Sequence, residues 1–404
     1  MTKVTLQDIK DAKETINDIV KETDILESVK LSNMTGANVF YKCENLQKTG
    51  SFKVRGACNK IANLTDEEKA NGVIASSAGN HAQGVALGAK MTGIKATIVM
   101  PATAPLAKVT ATKGYGAEVV LNGLVYDDAY AKAVELQKET GATFLHPFDD
   151  KYVIAGQGTI GLEILEQLDG KVDTILCPIG GGGIIAGIAV AAKGINPNIK
   201  IVGVQTANIP SMHESMKNGK VTTAFKSTTI ADGIAVKTPG NLTFDIIKDL
   251  VDEIVVVEED EIAQGMLFLM ENQKVVAEGS GAVTTAALLS GKYVPQKGEN
   301  VVCVISGGNV DVNTLYRVIG TALTKEARRY AFNTVIQDKP GGLAELTKII
   351  SEHNANILNV NLSKSSMGGL GTLTTEMELE TFNKNHIDEI KAAITKAGFE
   401  IVEI

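Results

Sequence analysis

The chain has 404 residues, 44% of them apolar and 21% charged, ordinary globular values that exclude disordered and fibrous classes. Its 39 Lys and Arg against 47 Asp and Glu leave a net charge of −8, which argues against nucleic acid or an anionic membrane as the main partner. Two or three domains are expected from length. No apolar run approaches the roughly 20 residues needed to cross a bilayer, and the first residues hold no signal-peptide core, so a cytoplasmic protein is expected. Cys43, Cys58, Cys177 and Cys303 are scattered without CxxC spacing, which suggests neither a disulfide framework nor a zinc site.

In chain order, Leu6, Ile9, Ala12, Ile16 and Ile19 recur at helical spacing. Short β-branched runs then alternate with Ala-rich stretches. Strands are predicted at Val39–Lys42, Val73–Ala75, Ala96–Met100, Glu118–Leu121, Thr143–Leu145, Thr174–Pro178, Ile201–Gln205, Glu253–Val257 and Val301–Ile305. Between them fall helices near Ala82–Thr92, Asp127–Thr140, Gly158–Leu168, Ile184–Lys193, Glu259–Asn272 and Gly281–Leu289. This alternation reads as a doubly wound α/β domain, with sites at the carboxyl ends of its strands. After Lys325 the order changes to βαββαβ: strands Tyr330–Gln337, Ile357–Leu362, Leu373–Leu379 and Phe399–Ile404, with a Met367-Gly368-Gly369 turn and two short helices. That is a ferredoxin-like module.

Four clusters carry candidate chemistry. Lys53 lies between Phe52 and Val54 at a loop-to-helix junction that Ser51 could cap. Desolvation and a helix N-terminus would both lower its pKa and free an amine able to form a Schiff base. Alone, Lys53 reads more readily as a surface lysine whose stem runs past Phe52. Ser76-Ser77-Ala78-Gly79-Asn80-His81 follows a strand and opens a helix, an arrangement that aims backbone N–H groups at a carboxylate or serves as an ordinary N-cap. Gly180-Gly181-Gly182-Gly183 lets the backbone approach a phosphate closely at a helix start. A dinucleotide pattern is formally met there, but the next strand ends in Gln205 rather than an acidic ribose ligand, and no P-loop lysine follows. A phosphate on a small cofactor fits better. Ser306-Gly307-Gly308-Asn309-Val310-Asp311 closes the set after the strand Val301–Ile305.

In this order the clusters resemble the fold type II pyridoxal-phosphate enzymes, above all the threonine dehydratases (threonine ammonia-lyases), over residues 5–325. The remainder resembles an ACT regulatory domain. The resemblance implies a two-domain doubly wound catalytic part, residues 1–325, with a small subdomain at about 55–150 nested in the large one, and an ACT domain at 328–404. It implies pyridoxal 5'-phosphate as cofactor and deamination of L-threonine to 2-oxobutanoate by β-elimination, L-serine being a side substrate. Lys53 would hold the cofactor and take the Cα proton, Phe52 would pack beside the ring, and Asn80 would meet its 3-hydroxyl. Gly180, Gly181, Gly182, Gly183 and the Ile184 backbone would cradle the phosphate, and Ser306 would face the ring nitrogen. Ser77, Gly79 and His81 would receive the substrate carboxylate through backbone and side-chain donors.

Serine racemase shares the framework, but Ala78 stands where that family has its second base, a serine. Gln205 and Ser211 stand where it has carboxylates for a divalent ion, so no metal is expected. A β-replacing synthase, or an amino-acid sensor with a vestigial catalytic part, are the other readings. In the ACT part the resemblance points to Asp338, Gly341, Gly342, Leu343 and Asn356 as an effector site between paired modules, for isoleucine or valine or a nucleotide; oligomer contacts alone would also explain the module. A homo-oligomer, dimer or tetramer, with a place in amino-acid metabolism such as isoleucine synthesis, is the accompanying expectation.

Overall fold

The computed structural model describes residues 4–225, 228–364 and 369–404; Met367 and Gly368 of the expected ACT turn lie outside the described residues. The chain divides into two compact units, 1–314 and 315–404.

The first unit holds two sheets. The larger has six strands in the order Ile25–Glu27, Asn38–Cys43, Asn300–Ile305, Thr174–Pro178, Lys200–Thr206 and Glu253–Val257. All neighbours pair parallel except the short first strand, which runs antiparallel at the edge. The smaller is wholly parallel, in the order Glu118–Leu121, Ala96–Met100, Val73–Ser76, Thr143–Phe144. Its strands fall in sequence between Asn38–Cys43 and Thr174–Pro178 of the larger sheet. The central strands are buried along their whole length, Thr174–Pro178 and Val73–Ser76 without exception, because helices cover both faces of a parallel sheet. That double burial explains why the β-branched runs locate the strands so well. The three-residue strand Ile25–Glu27 carries no such run and was not expected.

Two helices differ instructively from expectation. The stretch predicted as Glu259–Asn272 is α-helical only to Phe268 and widens into a π turn over Leu269–Gln273. There the Asn272 side-chain amide donates to the Phe268 carbonyl at 3.1 Å, competing with the regular ladder. The helix Lys53–Ala62 begins at Lys53 as expected, but Ser51 does not cap it: the position before the helix is Phe52, and the buried Ser51 hydroxyl has no partner among the described residues. Ser51 is instead held in a β-bridge to Gly307.

What holds the helix Lys53–Ala62 is a buried cluster of four charges. The Arg55 guanidinium forks onto Glu44, both contacts at 2.8 Å, and reaches Glu163 at 2.9 Å and Thr159 at 3.0 Å. Lys42 donates to Glu163 at 2.6 Å and to the Thr23 carbonyl at 2.7 Å. All four charged groups are buried. Burial works against the charge of Glu44, yet Arg55 and Lys42 hold its carboxyl below the usual range. The cluster ties this helix to the strand end at Cys43 and to the long helix Lys151–Gln167, fixing the turn on which Lys53 stands.

All four cysteines are free and buried. Burial pushes the thiols of Cys43, Cys58 and Cys303 up to about 12, and that of Cys177 well above its ordinary value.

The second unit has a four-stranded antiparallel sheet, in the order Asn356–Ser363, Thr372–Glu380, Arg329–Gln337, Val402–Glu403. The helices Gly342–Glu352 and Lys384–Lys396 pack through Leu346, Ile350, Ile390 and Ile394 onto Phe332 and Met377. The order is the expected βαββαβ. The last strand is shorter than Phe399–Ile404, because Phe399 and Ile401 pack against the core before pairing begins.

Arg55→Ala is expected to destabilise the protein by about 3–5 kcal/mol, since it leaves Glu44 and Glu163 buried without their guanidinium. Arg55→Lys should recover only part, as an ammonium cannot reproduce the fork. Urea denaturation checks both; an alanine variant within about 1 kcal/mol of the parent would contradict the role given to the cluster.

Candidate active site

A cavity of about 660 Å³ opens at the carboxyl ends of strands from both sheets, and every candidate residue of the catalytic part lines it: Phe52, Lys53, Ser77, Gly79, Asn80, His81, Gly180 to Gly183, Ile184 and Ser306. The Lys53 amine and the tetraglycine turn therefore face one space.

Lys53 enters from the first residue of its helix, and its Nζ donates to the Pro147 carbonyl at 2.9 Å. Desolvation lowers its pKa to about 8, with Glu278 pulling the other way. The strand end Asn300–Ile305 is pinned beside it, because Phe52 N donates to the Ser306 carbonyl at 3.1 Å. Ser306 and its neighbour Ser280 are both buried cavity-lining hydroxyls; that of Ser280 has no hydrogen-bond partner among the described residues.

Two positions of the glycine turn require glycine. Gly182 has φ +98°, and a Cβ on Gly181 would stand 2.3 Å from the Phe148 ring. The helix Gly183–Ile195 starts directly after the turn, so its first N–H groups, which have no intrahelical acceptor, point outward there. Thr243 Oγ1 donates to the Gly181 carbonyl at 2.6 Å, turning that oxygen away from the anion seat. Bare backbone, a helix terminus and an orphaned serine hydroxyl at the same cavity fit a phosphorylated aromatic cofactor held by Lys53.

The asparagine loop is used differently from expectation. Ser77 N donates to Val99 O at 3.2 Å, and Gly79 N donates to Ser77 Oγ at 3.2 Å. His81 Nε2 bonds the Leu145 carbonyl at 2.9 Å, and burial followed by the Lys53 charge drops its pKa to about 3. The imidazole is thus neutral and occupied, so it is no cationic carboxylate partner. The donors left are the Ser77 hydroxyl and the first-turn amides of the helix Asn80–Thr92.

Several cavity residues were not singled out from sequence. Glu278 is buried, accepts from Asn80 at 2.7 Å, and has its pKa raised to about 7 by burial and by Asp232. Lys108 and Asp232 form a 2.8 Å pair between elements flanking the two sheets. Phe148 carries no local motif, whereas the loops Glu278-Gly279-Ser280-Gly281-Ala282 and Ala231-Asp232-Gly233 are the available signals for Glu278 and Asp232. Gln205 and Ser211 have other work: Gln205 bridges the Ile179 carbonyl and His213 N, and Ser211 donates to the Val236 carbonyl.

In the second unit the candidate residues do not converge. Gly341 has φ +92° and opens the helix Gly342–Glu352, while Leu343 packs against its own core. Asn356 pairs with Glu380 at the far end of the sheet from Asp338, which follows Gln337 opposite Thr372. Eight strand residues, roughly 26 Å, separate them.

The pyridoxal-phosphate dependent enzyme family matches residues 16–307, and the ACT domain family matches residues 326–398. An L-threonine ammonia-lyase of Thermotoga maritima is 51% identical over 399 residues, 98% of this chain and 99% of that protein. Threonine deaminase isoform 2 from Solanum lycopersicum has a structure with TM-score 0.75 at 38% identity, covering 80% of this chain and 96% of that one. Maize serine racemase gives the same TM-score, 0.75, at 39% identity, over 81% of this chain and all of that one. Among the described residues no helix is long and apolar enough to cross a membrane. The chain is a member of the pyridoxal-phosphate dependent enzyme family of fold type II, carrying an ACT domain at its C-terminal end.

Proposed function

We propose that the protein deaminates L-threonine to 2-oxobutanoate and ammonia by β-elimination, and L-serine to pyruvate more slowly. The observation that carries this reading is the desolvated Lys53 amine, held in one cavity between a phosphate-shaped glycine turn and a helix start suited to a carboxylate.

When bound, pyridoxal phosphate supplies an electron sink for the pair released at Cα. The chain's own residues do the rest. Gly180 to Gly183 and the Ile184 backbone would hold the phosphate, and Phe52 and Asn80 would orient the ring. The Ser77 hydroxyl and the first-turn amides from Asn80 onward hold the substrate carboxylate, aiming the Cα hydrogen at Lys53 Nζ. Lys53, whose burial disfavours the ammonium form, takes that proton. Ser306 would offer the ring nitrogen of the bound cofactor a hydroxyl and no negative charge, and the β-hydroxyl leaves as water on gaining a proton. The eneamine product hydrolyses to the 2-oxoacid and ammonia.

Ala78 lines the cavity, and its methyl cannot transfer a proton, which favours elimination over racemisation. Specificity for one methyl group is worth only about 1–3 kcal/mol, so serine turnover is expected. We further propose a cytoplasmic homo-oligomer controlled by isoleucine or valine. Because Asp338 and Asn356 lie at opposite ends of one sheet, a site using both needs a second chain.

Lys53→Ala is expected to abolish 2-oxoacid formation from threonine together with the yellow Schiff-base absorption; retained turnover would refute the assignment, and D-amino acid in the product would favour the racemase. A second expectation concerns cofactor-free protein. Lys53 has a folded pKa of about 8 against an ordinary 10.5, so its burial weakens folding below pH 8 and ceases to do so as pH rises toward 10.5. Lys53→Met should therefore raise the melting temperature more at pH 7 than at pH 10, and equal gains would contradict the desolvation argument. Calorimetric titration with isoleucine and valine should show binding and a change in rate; neither effect with either ligand would remove the proposed control.

A further inference from the structure

One directed chain of hydrogen bonds runs along the inner wall of the cavity. Asn309 Nδ2 donates to Asn80 Oδ1 at 2.8 Å and to the Thr49 carbonyl at 2.7 Å. Asn80 Nδ2 donates in turn to Glu278 Oε1 at 2.7 Å. The two ends of an amide are alike in shape and opposite in hydrogen bonding, so neighbours decide which way Asn80 points. Asn309 must present its nitrogen, because the Thr49 carbonyl only accepts. An ionised carboxylate likewise only accepts. Turning Asn80 over would set nitrogen against nitrogen at Asn309 and oxygen against oxygen at Glu278.

The surroundings make room for this carboxyl specifically. Glu278 is 3% exposed. A Cβ on Gly307 would stand 2.5 Å from Glu278 Oε1, and one on Gly233 would stand 3.3 Å from it. Burial and Asp232 raise its pKa to about 7, while Asn80, Lys108 and Lys53 pull it down, and its Oε1 is the acceptor of the Asn80 amide. No step of the reaction proposed above uses this carboxylate directly, although isolating a charge there is costly.

We propose that Glu278 is a positioning residue: with Asn309 it locks the Asn80 amide so that its second N–H is presented to the ring hydroxyl of the bound cofactor. This rests on the reading that Asn80 meets that hydroxyl. The role is exerted through Asn80, not on the substrate. Charge-assisted hydrogen bonding makes Glu278 the stronger half of the lock, and Asn309 supplies its direction.

The test is titration of cofactor-stripped full-length protein with pyridoxal phosphate at pH 8, read by Schiff-base absorbance and cofactor fluorescence. Glu278→Ala should weaken cofactor binding by about tenfold or more. Glu278→Gln, whose amide oxygen still accepts, should recover most of that loss. Asn80→Ala should weaken binding comparably, and the Asn80→Ala, Glu278→Ala double variant should lose no more than Asn80→Ala alone. Should Glu278→Ala fail to fold, Asn309→Ala serves instead, with a smaller expected loss and the same non-additivity. Wild-type-like binding by the folded variant, or losses that simply add, would overturn the proposal while leaving the reaction assignment intact. Failure of the parent protein itself to take up the cofactor would instead sink that assignment, and this proposal with it.

Discussion

A primary amine acts as a base near neutral pH only where its charged form is denied water, and much of this fold is arranged around that condition. Lys53 stands on the first turn of a helix whose phase is set from behind by Arg55, locked between Glu44 and Glu163. Pro147 and Phe52 enclose it from the sides, with the Phe52 ring 5.2 Å from Nζ. The cluster has two positive and two negative groups, so it orients the helix without adding net charge close to the amine. Glu278 is the counterweight. A neutral wall would depress the amine further.

The same restraint shapes the anion seats. Both lie where a helix follows a parallel strand, so partial positive charge comes from backbone amides rather than from side chains. The His81 imidazole, which a reader of the sequence assigns to the carboxylate together with backbone donors, is taken out of play by the Leu145 carbonyl. The first-turn amides of the same helix remain.

The fold was largely legible because a doubly buried parallel strand must be apolar on both faces, which leaves a continuous β-branched run in the chain. The glycine turn was legible for a related reason: backbone that must lie against Phe148 and Ile234 excludes every side chain. What escaped sequence reading depends on distance along the chain. Glu163 meets Arg55 across 108 residues, and Glu278 meets Asn80 across 198. No local pattern announces such partners. Ser51 misled because its residue type suits a cap, whereas a bridge to Gly307 had already claimed its backbone.

The sealed thiols carry a practical corollary. With Cys43, Cys58, Cys177 and Cys303 all interior and protonated at ordinary pH, the native surface is silent toward maleimides and iodoacetamide. A single engineered cysteine on a solvent-facing helix would then be the sole handle for a dye or spin label, with no need to strip the molecule of its own sulfur first.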